Sequence, residues 1–249
     1  MRAQKVKGKR YAALDGIRGF ALLNMIAYHA IWDLVYIFGV DWSWYKSRGA
    51  YVWQQGICWT FILVSGFCLS LGKHARRRGA VVFAGGALIS GVTIAFMPQD
   101  RVVFGILTLI GSCMLLVSIL DGLLQRVSPL AGMCISMILF LLTGNVNNGF
   151  LGFESINIVR LPGWLYRNRF TTWLGFPQRG FYSTDYFSLF PWIFLFLAGY
   201  FLHKKMRADN RLDILEKGRL TGLEWLGRHS FEIYMLHQPV LYLGLGIFF

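Results

Sequence analysis

Residues 13–34 read ALDGIRGFALLNMIAYHAIWDL. The stretch is long enough and apolar enough to be a first membrane-spanning helix, yet it holds Asp15, Arg18, Asn24, His29 and Asp33. A helix turns 100° per residue, so position can be read as angle. With His29 as zero, Asp15 and Asp33 fall about 40° to one side, and Arg18 about 20° to the other. Asn24 lies nearly opposite and is expected to pack elsewhere. The four titratable groups form one stripe. Charge in a bilayer core is costly, and residues that carry it usually face a bundle interior or a watery cavity.

Height along the helix adds a second constraint. Arg18 and His29 are separated by about 16 Å at 1.5 Å per residue. Arg18 is therefore expected near the cytoplasmic boundary, and His29 past the middle. Asp33 stands one turn beyond His29, where its carboxylate could fix the imidazole tautomer. That is the arrangement a general base needs. A purely structural explanation also exists: Arg18 snorkels and pairs with Asp15, while His29 and Asp33 form a buried couple.

Outward from this helix, the chain of 249 residues is 55% hydrophobic and 15% charged. Soluble domains carry about a quarter charged residues, and apolar runs near the spanning length recur throughout. The expected fold class is all-α: a polytopic membrane protein forming one integral-membrane domain over 1–249. Seven spans are expected, at about 12–38, 50–72, 80–97, 101–121, 128–145, 185–203 and 221–248. The first is read as a retained helix, because a signal peptide would not carry Asp15 and Arg18 in its apolar run. The net charge of +13 does not argue for nucleic acid, since the basic residues sit in short loops. Basic clusters in the N-terminal tail, at 73–78 and at 204–219 would share one side, which the positive-inside rule makes cytoplasmic. The N-terminus is then inside and the C-terminus outside, in a cell membrane. Cys58, Cys68, Cys113 and Cys134 lie in apolar runs and read as small packing residues. Ala87 and Gly91, with Gly85 and Gly86, give a small-xxx-small pattern expected to pack helices.

Two further regions carry chemistry. Residues 146–184 face outward and are rich in aromatic residues, Gly and Arg, including Arg179. Interfacial aromatics and a substrate-gripping lid explain this segment equally well. Asp185, which follows, can cap a helix or hold an arginine. The last apolar run, LGRHSFEIYMLHQPVL, adds Arg228, Tyr234 and His237. His237 is deep enough to face the same cavity as His29, and core polar packing is an equal alternative. Its spacing to other ligands fits no metal site, and none is expected.

Three stretches together resemble a known family: LDGIRGFALLNMIAYHAIWDL, LGFPQRGFYSTDYFSLFPWIFLFLAGYFL and WLGRHSFEIYMLHQPVL. Arg18 and His29, with ten residues between them, resemble the signature of the acyltransferase-3 family. The whole set is closer to the catalytic domain of heparan-alpha-glucosaminide N-acetyltransferase and its small bacterial relatives. The resemblance implies helices packed around a central tunnel. It also implies transfer of an acyl group, expected to be acetyl, from cytoplasmic acetyl-CoA to an extracytoplasmic glycan or other hydroxyl or amine. In that reading His29 and Asp33 are catalytic. Arg18, Asp15, Arg76, Arg77 and Arg228 receive the coenzyme A thioester, and His237, Tyr234, Asp185 and Arg179 line the acceptor side. Membrane lipid and a second copy in a homodimer complete the expected partners. Two departures stand out. Bacterial relatives place a histidine where this chain has Thr108, and the human-type enzyme has an asparagine at the position of His29. A proton- or ion-coupled transporter built on the charged stripe, and a non-catalytic assembly partner, are the alternatives; no internal repeat supports the transporter.

Overall fold

A computed structural model describes residues 11–216 and 221–248. Their fold is helical, as the composition requires: 74% helix and 4% strand. The helices are α1 (Ala12–Tyr36), α2 (Arg48–Cys68), α3 (Ala75–Phe96), α4 (Ile106–Leu124) and α5 (Pro129–Leu142). A hairpin of β1 (Phe150–Phe153) and β2 (Ile156–Arg160) follows, then α6 (Arg169–Leu174), α7 (Leu189–Ala208), α8 (Thr221–Arg228) and α9 (Ser230–Leu245). Each expected span has a helix at its place, and the last is split at His229 into α8 and α9.

Four of the described stretches are long and apolar enough to cross a membrane: Arg48–Leu71, Ala75–Phe96, Ile106–Leu124 and Pro129–Asn148. The other long helices owe their difference to composition or to length. α1 carries Asp15, Arg18 and Asp33, α7 ends in His203, Lys204 and Lys205, and α9 has only 16 residues. The basic N-terminal tail, together with Lys217 and Arg219, lies outside the described residues.

The chain divides into two compact units: residues up to Phe61 together with Arg207 onward, and Ile62–Met206. In the first, α1 packs against α8, the start of α2 and α9, among others. It meets α8 almost backbone to backbone, because a Cβ at Gly19 would strike the Leu223 carbonyl and one at Gly227 the Asp15 carbonyl. It meets the start of α2 through an apolar core of Leu22, Met25 and Ile57, with Trp53, Phe61, Leu226 and Ile233 around it. Asn24 also reaches α2: Trp53 Nε1 donates to its Oδ1 at 3.0 Å. Against α9, α1 turns the polar stripe described below.

The second unit is held by small residues. Gly86 of α3 lies against the Thr108 backbone of α4, and Gly111 of α4 against Phe83 of α3, so neither has room for a side chain. Of the small residues expected to pack α3, Gly86 stands at the seam, whereas a Cβ at Gly91 would meet nothing within 4 Å. Gly66 and Gly199 make the same kind of approach between the end of α2 and α7. At one end of α7, the buried Tyr200 hydroxyl donates to Asp121 at 2.6 Å, and Lys204 Nζ donates to the Leu124 carbonyl at 2.9 Å, closing the end of α4.

The segment 146–184 is tied down rather than loose. Tyr166 Oη donates to the Val146 carbonyl at 2.6 Å. Asn168 and Thr171 form a reciprocal capping box at the start of α6. Phe187 N donates to the Phe104 carbonyl at 2.8 Å, and Trp173 Nε1 to Ser112 Oγ at 3.3 Å.

Candidate functional site

Two rungs join α1 to α9 in the first unit. The upper rung is Asp33 with Gln238: the amide Nε2 donates to Asp33 Oδ1 at 2.5 Å. Asp33 is fully buried, so a partner on its carboxylate is a physical necessity. The lower rung is His29 with His237, whose ring centroids lie 4.9 Å apart at a 62° interplanar angle. His29 also sets its edge against Tyr28 at 6.2 Å. It is half-buried, whereas His237 is buried.

The partner of Asp33 differs from the sequence expectation. Its bound oxygen is taken by Gln238 from the neighbouring helix, not by the His29 ring one turn back on the same helix. The imidazole whose tautomer is fixed is His237. Its Nδ1 donates to the Tyr234 carbonyl at 2.5 Å, which leaves Nε2 as a lone pair. That Nε2, Asp33 Oδ2 and Gln238 Oε1 are all buried without a hydrogen-bond partner. Each of the three is an acceptor once its neighbour has fixed its polarity. The two rungs thus present lone pairs to whatever enters, and an arriving O–H or N–H is the group they can satisfy. Tyr234 supplies both its carbonyl and a ring 5.1 Å from His237.

The opposite part of α1 carries an arginine. Arg18 pairs with the buried Asp15, and its Nε is buried without a hydrogen bond. Arg228 is exposed one residue after Gly227, where α8 touches the Asp15 backbone. The close glycine crossing therefore brings the two arginine-bearing positions to one place. Sequence reasoning missed Gly19 and Gly227, and it also missed Gln238, whose only signal was a polar residue beside His237 in an apolar helix.

The remaining candidates lie in the second unit. Arg76 and Arg77 are exposed at the start of α3, and Arg76 donates to the Ser118 carbonyl at 3.5 Å. Asp185 does cap a helix, though not the one that follows it: its Oδ2 accepts from Ile106 N at 3.4 Å, in the first turn of α4. Arg179 is exposed. Thr108 is buried in the α3–α4 seam, with its hydroxyl donating to the Gly105 carbonyl at 2.6 Å. No group of three or more His, Cys, Asp and Glu among the described residues could hold a metal ion.

This polar stripe on α1 and its partners on α9 lie inside the match that identifies the family. The sequence pattern described as "Heparan-alpha-glucosaminide N-acetyltransferase, catalytic" matches residues 10–239. The chain belongs to that family. Neither the curated proteins nor the solved structures contain a match. Membership in the heparan-alpha-glucosaminide N-acetyltransferase catalytic family gives the chain a membrane acetyltransferase-like role, and the transporter alternative is not favoured. With its apolar helices, it is a multi-pass membrane protein and a transferase.

Proposed function

We propose that this protein moves an acetyl group from acetyl-CoA, bound from the cytoplasmic side, to a hydroxyl or amine of an extracytoplasmic glycan, with His29 as general base. The observation that carries the reading is the contact of His29 with His237 beside the buried Asp33–Gln238 pair. It sets a titratable ring among lone-pair atoms, about 16 Å along α1 from Arg18. In this reading seven crossings enclose a tunnel, with the N-terminus inside and the C-terminus outside.

The residues present suit such a donor. Its nucleotide end is anionic, and Arg18, with an unbonded buried Nε, and the exposed Arg228 are fit to meet phosphate. At the other end His29 takes the proton from the acceptor oxygen or nitrogen. That atom bonds to the acyl carbon, the carbon–sulfur bond breaks, and the thiolate leaves with the electron pair. Asp33 and Gln238 position the acceptor, and His237 stands beside His29 with its lone pair inward.

The test separates the two ends. Membranes containing the His29→Ala variant are assayed for coenzyme A release from acetyl-CoA, alongside an acetyl-CoA binding isotherm. A general base contributes about 10²–10⁴-fold, so turnover is expected to fall by that factor while binding persists. Arg18→Gln is expected to weaken binding first. Unchanged turnover in His29→Ala removes that residue from the mechanism.

A further inference from the structure

The hairpin after α5 carries an apolar surface that the acetyl-transfer reading does not use. β2 is exposed along its whole length. Ile156, Ile158 and Val159 are 64%, 61% and 52% exposed, and Trp164 and Phe170 follow at 61% and 65%. Large side chains grouped in this way mark an interaction surface. The hairpin presents them rigidly. Asn145 Nδ2 donates to the Glu154 and Ile156 carbonyls at 3.0 Å each and to Asn157 Oδ1 at 2.8 Å.

The chain itself limits what can cover this surface. The crossing-length stretch Pro129–Asn148 ends two residues before β1 begins at Phe150. At about 3.6 Å per residue the hairpin starts within about 7 Å of the end of that stretch. The headgroup layer on each side of a bilayer is itself roughly 5–7 Å deep. Charge narrows the choice further. Residues 146–184 contain Arg160, Arg167, Arg169 and Arg179, one acidic residue, Glu154, and no lysine. Arg160, Arg167 and Arg169 are exposed and alternate with the apolar residues along the chain. A guanidinium meets a phosphate through paired hydrogen bonds, and its stem can lie along acyl chains.

We propose that the β1–β2 hairpin and the turn leading into α6 are an interfacial anchor for anionic phospholipid. Ile156, Ile158, Val159, Trp164 and Phe170 enter the acyl boundary, and Arg160, Arg167 and Arg169 take the headgroup phosphates. This rests on the second unit alone and does not depend on the acetyl-transfer reading.

The full chain with Ile158→Cys is labelled with a polarity-sensitive fluorophore and reconstituted into vesicles of phosphatidylcholine, with or without phosphatidylglycerol. The chain without that substitution, labelled in the same way, supplies the background from native cysteines. A blue-shifted emission, quenched by brominated acyl chains and more strongly quenched with phosphatidylglycerol, is expected. In R160Q/R167Q/R169Q the phosphatidylglycerol-dependent part is lost, with helical content unchanged by circular dichroism. Emission as in water, or quenching indifferent to headgroup charge, overturns the proposal. So does oxidative crosslinking of two chains through the introduced thiol in place of quenching, because the occupant would then be a second copy.

Discussion

The α1–α9 seam and the α3–α4 seam solve one problem in opposite ways. Between α3 and α4 the backbones come close: Gly86 and Gly111 let them approach, and the buried Thr108 hydroxyl is spent on the Gly105 carbonyl beside its own helix. Between α1 and α9 the contact is made by imidazoles, a carboxylate and an amide, several with unbonded atoms. The first is how helices associate where hydrophobicity gives no preference between lipid and protein: by close fit. The second leaves polar atoms unsatisfied, a cost of about 1–3 kcal/mol each that packing alone does not explain. In the proposed function, the contrast separates a seam made for stability from one kept for chemistry. Unit one uses both devices on one helix, since α1 crosses α8 at Gly19 and Gly227 and meets α9 at the stripe.

The sharpest way to break the comparison is to fill the glycines. Gly227→Val drives a side chain into the Asp15 carbonyl, and Gly86→Val drives one into the Thr108 backbone. Overpacking typically costs about 1–3 kcal/mol, and more where the obstacle is backbone. Both variants should lose thermal stability in detergent. Only Gly227→Val should also weaken acetyl-CoA binding in the fraction that stays folded, because it displaces Arg18 and Arg228. Equal effects on binding would erase the distinction between the seams.

A smaller effect is expected at the upper rung. Asp33→Ala strands the Gln238 amide, and Gln238→Ala strands the buried carboxylate, each at about 1–3 kcal/mol. The double variant should cost less than the sum, with a coupling of about 0.5–3 kcal/mol in a double-mutant cycle read by unfolding. Additive losses would mean that the pair does not form. Smaller still is Tyr200→Phe, which removes the hydroxyl bonded to Asp121 and should cost about 1 kcal/mol without changing turnover per folded molecule. Gly91→Ala should be neutral or stabilising by up to about 1 kcal/mol, since its Cβ enters open space. A loss there would put Gly91 in the seam together with Gly86.

Much of the polar stripe could be read without a structure. Helical periodicity alone set Asp15, Arg18, His29 and Asp33 on one face and sent Asn24 to another, and both placements hold. The small-residue pattern named the right helix, α3, and Gly86 within it, but it also named Gly91, which meets nothing. Composition cannot tell which of several glycines meets a neighbour. The segment 146–184 was legible as ordered and aromatic but not as a hairpin. β1 is only four residues long, and its register is interrupted between Leu151 and Gly152, so no strand periodicity builds up.

By itself the sequence determined what each helix could not avoid: the apolar lengths, and the angular and axial order of the charges on α1. These follow from the local rise and twist of a single helix. Tertiary structure decided the partners. Gln238 rather than His29 meets Asp33, the Tyr234 carbonyl fixes the His237 ring, and Asp185 caps a helix that begins 79 residues before it. A hydrogen bond depends on where two separate backbones are brought together, and the spacing along one of them carries no record of the other.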